Sequence, residues 1–323
     1  MKPVFRRGRF YNHEKESVVA WMGNVATTLS YYWMRILTGR RSAFFKTPFV
    51  STEWVAQELY PGTQQGVTVT WLGHATFLIQ VAGLNILTDP VFYHVSRFYP
   101  RMVPFPIHLD KLPKIDLILL SHNHMDHMDE RSLKDLVSHQ SKVLVPVGDA
   151  AKLKKIGFAD VHECHWKDSI TVGTSDKVVL TFLPAVHWSG RWVHDVNRSL
   201  WGSWLIQGGG KTVYFAGDTA YGTHFAWIKE KYSPVDIALL PVGPIEPAHL
   251  MKHSHIGAAE ALRAFEDLGA KILIPMHWGT FRPASDDSFD TPVNTLQDFW
   301  NTVKQEGDKK LIGPRFGKKM EFS

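Results

Sequence analysis

The pattern of apolar and polar residues predicts a chain in which strands and helices alternate. From residue 67 onward, apolar and polar side chains alternate over 67–73, which is the pattern of a half-buried strand. Other apolar runs predict strands at 77–81, 85–89, 115–120, 143–147, 177–184, 204–206, 212–216, 236–240 and 271–275. Helical spacing predicts helices at 131–138, 150–156, 258–268 and 293–305. Strands followed by helices occur twice, which predicts an α/β fold with two similar sheets between layers of helices.

Residues 1–60 have a different pattern and predict an N-terminal arm followed by an apolar helix. Residues 5–13 are basic and aromatic without periodicity, which favours an extended arm, and residues 17–34 contain no charged side chain. A membrane-spanning helix needs about 20 strongly apolar residues, and a secretory signal needs a small-residue cleavage site; neither pattern is clear here. We therefore favour a helix that packs on the domain, contacts a second copy of the chain as a homodimer, or lies in a membrane interface through Trp21 and Trp33. The catalytic domain is then predicted at 61–323.

Composition narrows the class of protein. The chain has 323 residues, 44% of them hydrophobic, which is enough for one large domain or two small ones. Its net charge of +5 is compatible with an anionic substrate or an anionic membrane surface. No nucleic-acid-binding motif accompanies that charge, so no nucleic-acid partner is expected. The single cysteine, Cys164, excludes an internal disulfide and fits a reducing compartment. We expect a buried Cys164 and a cytoplasmic protein, peripheral to the membrane if the apolar helix is interfacial.

The segment Ser121–His127 carries the strongest chemical signal. It places His122, His124, Asp126 and His127 directly after the buried strand predicted at 115–120. Neutral imidazole and carboxylate are the usual ligands of zinc, although iron or manganese could use the same residues. The spacing H-x-H-x-D-H offers two sets of ligands, which is too many for one tetrahedral ion.

Three later strands end in the same kind of residue. His187 follows the strand at 177–184, Asp218 follows 212–216, and His277 follows 271–275, while Gly217 allows close approach of the backbone beside Asp218. Five histidines and two aspartates suit two zinc ions about 3.5–4 Å apart that share a water. The predicted ligands of one ion are His122, His124 and His187, those of the other are Asp126, His127 and His277, and Asp218 bridges the two.

The order H-x-H-x-D-H, His, Asp, His on an alternating sheet-and-helix chain resembles the metallo-β-lactamase superfamily. Segments 70–76 and 87–90 belong to the same pattern. The resemblance covers residues 67–279 and implies an αββα sandwich with an N-terminal extension. We expect His74 and Asp89 to orient the metal ligands by hydrogen bonds rather than to bind metal themselves.

A narrower resemblance lies downstream. Segments 200–204, 215–221, 243–247 and 276–281 are similar to N-acylphosphatidylethanolamine-hydrolysing phospholipases D. That group has an M-K-x-x-H loop, which Met251–His255 reproduces, so the resemblance implies that His255 is an active-site histidine. The sequence departs from the group directly afterwards, at residues 256–258.

Three functional hypotheses follow. The first is a dinuclear zinc phosphodiesterase that cuts N-acyl-phosphatidylethanolamine into N-acylethanolamine and phosphatidic acid. In it Asp126 orients the attacking hydroxide, and His255 protonates the leaving oxygen or grips the phosphate. The second is a lactone or other ester hydrolase with the same metal pair. The third is a metal-stabilised binding module without catalytic activity, which the complete set of seven ligands argues against.

Overall fold

The computed structural model describes residues 1–12, 66–97, 99–173, 176–245, 251–281, 288–303 and 307–323. The apolar segment 17–34 and the domain boundary near residue 61 lie outside these ranges. Within them, no helix is both long enough and apolar enough to cross a bilayer.

The described chain begins with a hairpin and continues into a first mixed sheet. Strands β1 (Val4–Arg6) and β2 (Arg9–Tyr11) form the hairpin. The first sheet contains β3 (Val67–Gly73), β4 (Thr76–Val81), β5 (Leu84–Thr88), β6 (Leu117–Leu119), β7 (Lys142–Pro146), β8 (Val161–Cys164) and β16 (Lys319–Phe322). Their order is β16-β3-β4-β5-β6-β7-β8, antiparallel from β16 to β5 and parallel from β5 to β8.

The second sheet repeats this arrangement. It contains β9 (Ser169–Val172), β10 (Val178–Leu183), β11 (Ser203–Gly208), β12 (Lys211–Phe215), β13 (Ile237–Pro241), β14 (Ile272–Met276) and β15 (Lys310–Leu311). The pairs from β9 to β12 are antiparallel and those from β12 to β15 are parallel. In both sheets, therefore, several strands run in parallel and end at one common edge.

Helices cover the outer faces of the two sheets. They are α1 (Glu130–Leu136), α2 (Ala150–Ile156), α3 (His224–Tyr232), α4 (Ala258–Leu268) and α5 (Thr291–Thr302), with 3₁₀ turns at Leu109–Lys111 and Val137–His139. Helix α1 begins where the Asp129 carboxylate accepts a hydrogen bond from Ser132 N at 2.8 Å. Helix α4 ends at Gly269, whose φ of 63° is left-handed.

Two apolar layers hold the sandwich together. Between the sheets lie large side chains with almost no exposure, among them Trp71, Phe77, Phe182 and Trp204. A second layer packs the outer face of the first sheet against α1 and α2. The predicted αββα sandwich is confirmed.

Some elements differ from the sequence-based expectation. Residues 5–13 were expected to be an extended arm, but β1 and β2 turn back through Arg7 and Gly8, whose φ values of 50° and 72° suit a two-residue hairpin loop. Helix α3 and strands β8, β9, β15 and β16 were not predicted. The four strands are at most four residues long and only partly buried, so their apolar periodicity is weak.

Candidate metal centre

The seven predicted ligands meet at the edge where the parallel strands end. His122, His124, Asp126 and His127 lie in the loop after β6, and His187, Asp218 and His277 follow β10, β12 and β14. Sharp turns redirect the chain at this edge, since His74, Asp89 and His277 each follow a strand directly and have φ values of 54°, 32° and 64°. Left-handed backbone at non-glycine residues is costly and is concentrated at functional sites.

The close packing of this edge depends on Gly217. Its φ is 58°, and a Cβ atom there would lie 2.5 Å from Ser121 Cβ. The predicted role of Gly217 in close backbone approach is confirmed.

One group of candidate ligands consists of His122, His124, His187 and Asp218. One nitrogen or oxygen from each lies within 4.8 Å of the others. His124 Nδ1 is 2.8 Å from His122 Nε2 and 3.2 Å from His187 Nε2. Three imidazole nitrogens aimed at one point suit a divalent cation of intermediate softness such as Zn²⁺.

A second group consists of His74, Asp126, His127 and His277, again with one ligand atom each within 4.8 Å. Asp218 lies between the two groups: its Oδ2 is 3.2 Å from His127 Nε2, 3.1 Å from His277 Nε2 and 3.9 Å from His187 Nε2. This is the position that the predicted bridging carboxylate would occupy.

His74 lies closer to the centre than the sequence indicated. Its Nε2 is 3.3 Å from Asp126 Oδ2, which fits the predicted orienting hydrogen bond. His74 also belongs to the second ligand group, and its ring lies 3.9 Å from that of His277. The geometry thus allows His74 to orient Asp126 or to bind a cation directly.

The opposite ring nitrogens of three histidines are held by acceptors behind the site. His127 Nδ1 lies 2.7 Å from Asp89 Oδ2, His187 Nδ1 lies 2.8 Å from Ser254 O, and His277 Nδ1 lies 2.9 Å from Gly243 O. Such acceptors fix the tautomer and aim the second nitrogen at a metal. The predicted orienting hydrogen bond of Asp89 is confirmed.

Unpaired polar atoms test whether the residues fit a metal pair. Nε2 of His127 and of His277 are buried and lie near Asp218 Oδ2 without forming a hydrogen bond of good geometry, and Asp218 Oδ1 is buried without a hydrogen-bond partner in the described part of the chain. Burying unpaired polar atoms is costly, and divalent cations would satisfy these atoms together. The donor set of imidazoles and carboxylates therefore fits the predicted cations.

The protonation states of His124, His187 and Asp218 fit metal binding, whereas that of His127 opposes it. Burial lowers the pKa of His124 to about 4 and that of His187 to about 3, so both imidazoles are neutral at pH 7. Burial acts to raise the pKa of Asp218, but the charges of His127 and His277 outweigh it and hold that pKa well below its ordinary value. Burial likewise opposes protonation of His127, yet Asp218 and Asp89 raise its pKa well above the ordinary value. A proton on His127 therefore competes with a cation for Nε2.

His255 lies beside the two groups. Its Nδ1 is 3.7 Å from Asp218 Oδ2, and its ring lies 5.3 Å from His187 and 5.4 Å from His277. That nitrogen is buried and unpaired in the described structure. The M-K-x-x-H loop thus brings its histidine close to the Asp218 carboxylate.

A buried network behind the H-x-H pair was missed from sequence. The side chain of Asn123 donates to Asp149 Oδ1 at 3.0 Å and to Ser199 Oγ at 2.8 Å, and it accepts from Gly190 N at 2.7 Å. These bonds fix the residue between His122 and His124. An asparagine inside the histidine cluster was the only local signal.

Three other expectations can be compared with the structure. Cys164 is buried, as predicted. From the sequence, Tyr221 and Trp278 could equally border the pocket or pack in the core. The Tyr221 hydroxyl donates to Asp267 on α4, and Trp278 stacks on Trp71 at 5.0 Å. Two aromatic rings lie beside the centre: that of Trp188, 4.1 Å from the His124 ring, and that of Phe281, 4.9 Å from the His74 ring.

Comparison with known proteins agrees with this geometry. The family model described as "Beta-lactamase superfamily domain" matches residues 84–278. An N-acyl-phosphatidylethanolamine-hydrolyzing phospholipase D 1 of Caenorhabditis elegans is 32% identical over 275 residues, 81% of this chain and 77% of that protein. The mitochondrial N-acyl-phosphatidylethanolamine-hydrolyzing phospholipase D of Saccharomyces cerevisiae is 37% identical over 75% of this chain and 53% of its own length.

A solved structure shows the same fold. A metallo hydrolase of the archaeon Ignicoccus hospitalis superposes with a TM-score of 0.61 over 80% of this chain and 99% of its own, at 22% identity. This likeness shows the fold. The family match and the 32% identity to the Caenorhabditis elegans enzyme, together with the paired ligand groups, show that the chain is a metal-dependent hydrolase of the metallo-β-lactamase superfamily.

Proposed function

We propose that the protein is a dinuclear zinc phosphodiesterase that hydrolyses N-acyl-phosphatidylethanolamine to N-acylethanolamine and phosphatidic acid. The observation that carries the proposal is the convergence of two ligand groups and His255 on Asp218, within a chain 32–37% identical to two enzymes named for this reaction. His122, His124 and His187 would hold one ion, Asp126, His127 and His277 the other, and Asp218 both.

Different residues of the chain would act on different parts of the phosphodiester. Two bound divalent cations would supply a nucleophilic water at neutral pH and offset the charge of the phosphodiester. The Asp126 carboxylate, held at 3.3 Å by His74, is positioned to accept a hydrogen bond from that water and so direct its lone pair at phosphorus. The P–O bond to the N-acylethanolamine then breaks, and phosphatidic acid keeps the oxygen that came from water.

His255 is the proposed group for the leaving oxygen. The alkoxide that departs needs a proton or a hydrogen-bond donor. His255 Nδ1 is 3.7 Å from Asp218, and its side chain is 16% exposed, so the imidazole borders both the bridging carboxylate and the open side of the site. It can therefore reach a phosphate oxygen or the leaving oxygen without being buried behind the ligands.

The substrate is a membrane lipid, and an exposed surface beside the site supports peripheral membrane binding. Phe5 in the hairpin is 60% exposed, and Trp192 and Val193 in the turn after His187 are 64% and 82% exposed. The Arg9 guanidinium donates to Val196 O and His194 O, so the hairpin and the turn are adjacent. Exposed Arg6 and Arg7 lie in the same hairpin. Aromatic and aliphatic tips next to arginines suit an anionic lipid interface.

This surface can be tested by sedimentation with lipid vesicles. We expect a Trp192→Ser/Val193→Ser variant to lose most of its binding to vesicles that contain anionic phospholipid. Phe299→Ser is the matched control, because Phe299 is also exposed, at 40%, but lies on α5. If the two variants bound the vesicles equally well, Trp192 and Val193 would not contribute to membrane binding.

Product analysis by mass spectrometry tests the reaction. The zinc-loaded protein is incubated with N-acyl-phosphatidylethanolamine in detergent micelles, and N-acylethanolamine and phosphatidic acid should appear in equal amounts. His124→Ala should lose metal and activity together. His255→Ala should keep both metals and lose turnover.

The controls separate substrate from mechanism. A protein that holds two metals but yields neither product, and instead opens a soluble lactone, would contradict the lipid assignment and support an ester hydrolase. Full turnover by His255→Ala would refute its proposed role.

A further inference from the structure

The backbone of His187 is held by a side chain 175 residues away. Asn12 Nδ2 donates to His187 O at 3.1 Å, and Asn12 Oδ1 accepts from His187 N at 3.2 Å. The same oxygen accepts from Trp201 Nε1 at 3.1 Å. Asn12 is 8% exposed and His187 1%, so these bonds lie in a dry environment where they contribute most.

His187 needs an external partner because of where it lies in the chain. Leu183 ends β10 and Ser203 begins β11, so His187 stands in an irregular segment without a strand neighbour. Within the described ranges its N–H and C=O make no backbone–backbone hydrogen bond. The Asn12 amide satisfies both groups at once, which a ladder partner would do in a sheet.

The ring of the same residue is fixed from a different side. His187 Nδ1 lies 2.8 Å from Ser254 O, and Nε2 lies 3.2 Å from His124 Nδ1. The backbone clamp and the ring hydrogen bond together determine where Nε2 points.

From these contacts we infer that Asn12 is a positioning residue for the metal centre and that the N-terminal hairpin completes the site. This inference rests on the proposed role of His187 as a ligand. Asn12 touches neither a reacting atom nor an ion, and it acts by holding His187 Nε2 toward His122, His124 and Asp218.

Other hydrogen bonds hold the hairpin in place, so the bonds between Asn12 and His187 can be tested separately. Phe10 N donates to Asn197 O at 2.8 Å, and Phe10 is 5% exposed. Arg9 donates to Val196 O and His194 O. In the described structure neither residue hydrogen-bonds to His187, so Arg9→Ala should loosen the hairpin but leave the Asn12 amide in place.

The test is a zinc titration of the full chain against a chromogenic chelator. The wild type should bind two ions, and Asn12→Ala should bind one of them about 10- to 100-fold more weakly, the range found when an outer partner of a ligand is removed. The other ion should be retained with nearly unchanged affinity, because none of its predicted ligands, Asp126, His127, His277 and the shared Asp218, is among the described hydrogen-bond partners of Asn12. Arg9→Ala should bind both ions as the wild type does.

A conservative variant and a spectrum exclude a merely structural effect. Asn12→Asp keeps the acceptor for His187 N but cannot donate to His187 O, so its affinity should lie between those of the wild type and Asn12→Ala. With cobalt in place of zinc, the visible absorption of Asn12→Ala should change, and that of Arg9→Ala should not.

Two results would overturn the inference. One is wild-type affinity and an unchanged cobalt spectrum in Asn12→Ala. The other is an equal loss in Asn12→Ala and Arg9→Ala, which would show only that the hairpin stabilises the fold. Because the readout is metal binding, a wild type that binds two ions but does not cleave the lipid would refute the proposed reaction without touching this inference.

Discussion

Replacement of Asp89 by asparagine tests how the second ligand group is oriented. Asp89 is fully buried, and its carboxylate accepts from Ser121 N at 2.8 Å, from Ser121 Oγ at 2.5 Å and from His127 Nδ1 at 2.7 Å. The bond to His127 keeps the proton on Nδ1, which leaves the lone pair of Nε2 directed at the centre. Asparagine has the same shape but only one acceptor oxygen.

The expected magnitude follows from the bonds lost. If the amide oxygen stays with Ser121 N, the NH₂ group faces His127 Nδ1 and favours the tautomer with a proton on Nε2. Loss of a hydrogen-bond partner that orients a metal ligand lowers the affinity for the metal 10- to 100-fold, or by about 1.4–2.7 kcal/mol. The Ser121 hydroxyl also loses its carboxylate acceptor, which lowers the free energy of unfolding by about 1–3 kcal/mol. The effect should fall mainly on one ion, because His127 is a predicted ligand of only one of the two.

Isothermal titration of the metal-free protein with zinc measures the effect. Asp89→Asn should show one weakened site, while Asp160→Asn, which removes an exposed carboxylate paired with Lys142 and His162, should match the wild type. If Asp89→Asn bound both zinc ions as tightly as the wild type, Asp89 would not control the tautomer of His127. Equal weakening of both ions would mean that Asp89 supports the whole loop rather than His127.

Three further outcomes are expected. Burial raises the pKa of Asp149 from 3.8 to about 6, so between these pH values the native state keeps a proton that the unfolded chain releases. The free energy of unfolding should therefore fall by up to about 3 kcal/mol as pH rises from 4 to 6. Urea unfolding of Asp149→Asn should not show this pH dependence. Gly217→Ala should cost more stability than Gly210→Ala, whose φ is also positive, because only the former Cβ meets a neighbour; equal melting temperatures would contradict this. A chelator should lower the melting temperature and added zinc should restore it, since bound cations stabilise the native state; no change in a thermal scan would argue against metal in the folded protein.

The amino-acid sequence by itself determined the layers and the candidate ligands. Buried strands have long apolar runs, and the polar residue that ends each run is visible as a break in the pattern. Parallel strands end at one edge of a sheet, so His187, Asp218 and His277 could be assigned to the same place as the Ser121–His127 loop before any coordinates were considered. The structure brings these residues together, and the αββα fold is confirmed.

Only the tertiary structure decided what surrounds them. Ser254 O and Gly243 O hold two of the histidines, and a backbone carbonyl carries no signal of residue type. Asn12 reaches His187 across 175 positions, a distance over which the chain has no periodicity to interpret. From the sequence, His74 was expected only to orient the metal ligands. Its ring reaches the centre because the backbone turns with a left-handed φ directly after β3, and the sequence pattern does not reveal such a turn. Strand periodicity acts over a few residues, whereas the hydrogen bonds that aim a ligand form only when distant segments pack against each other.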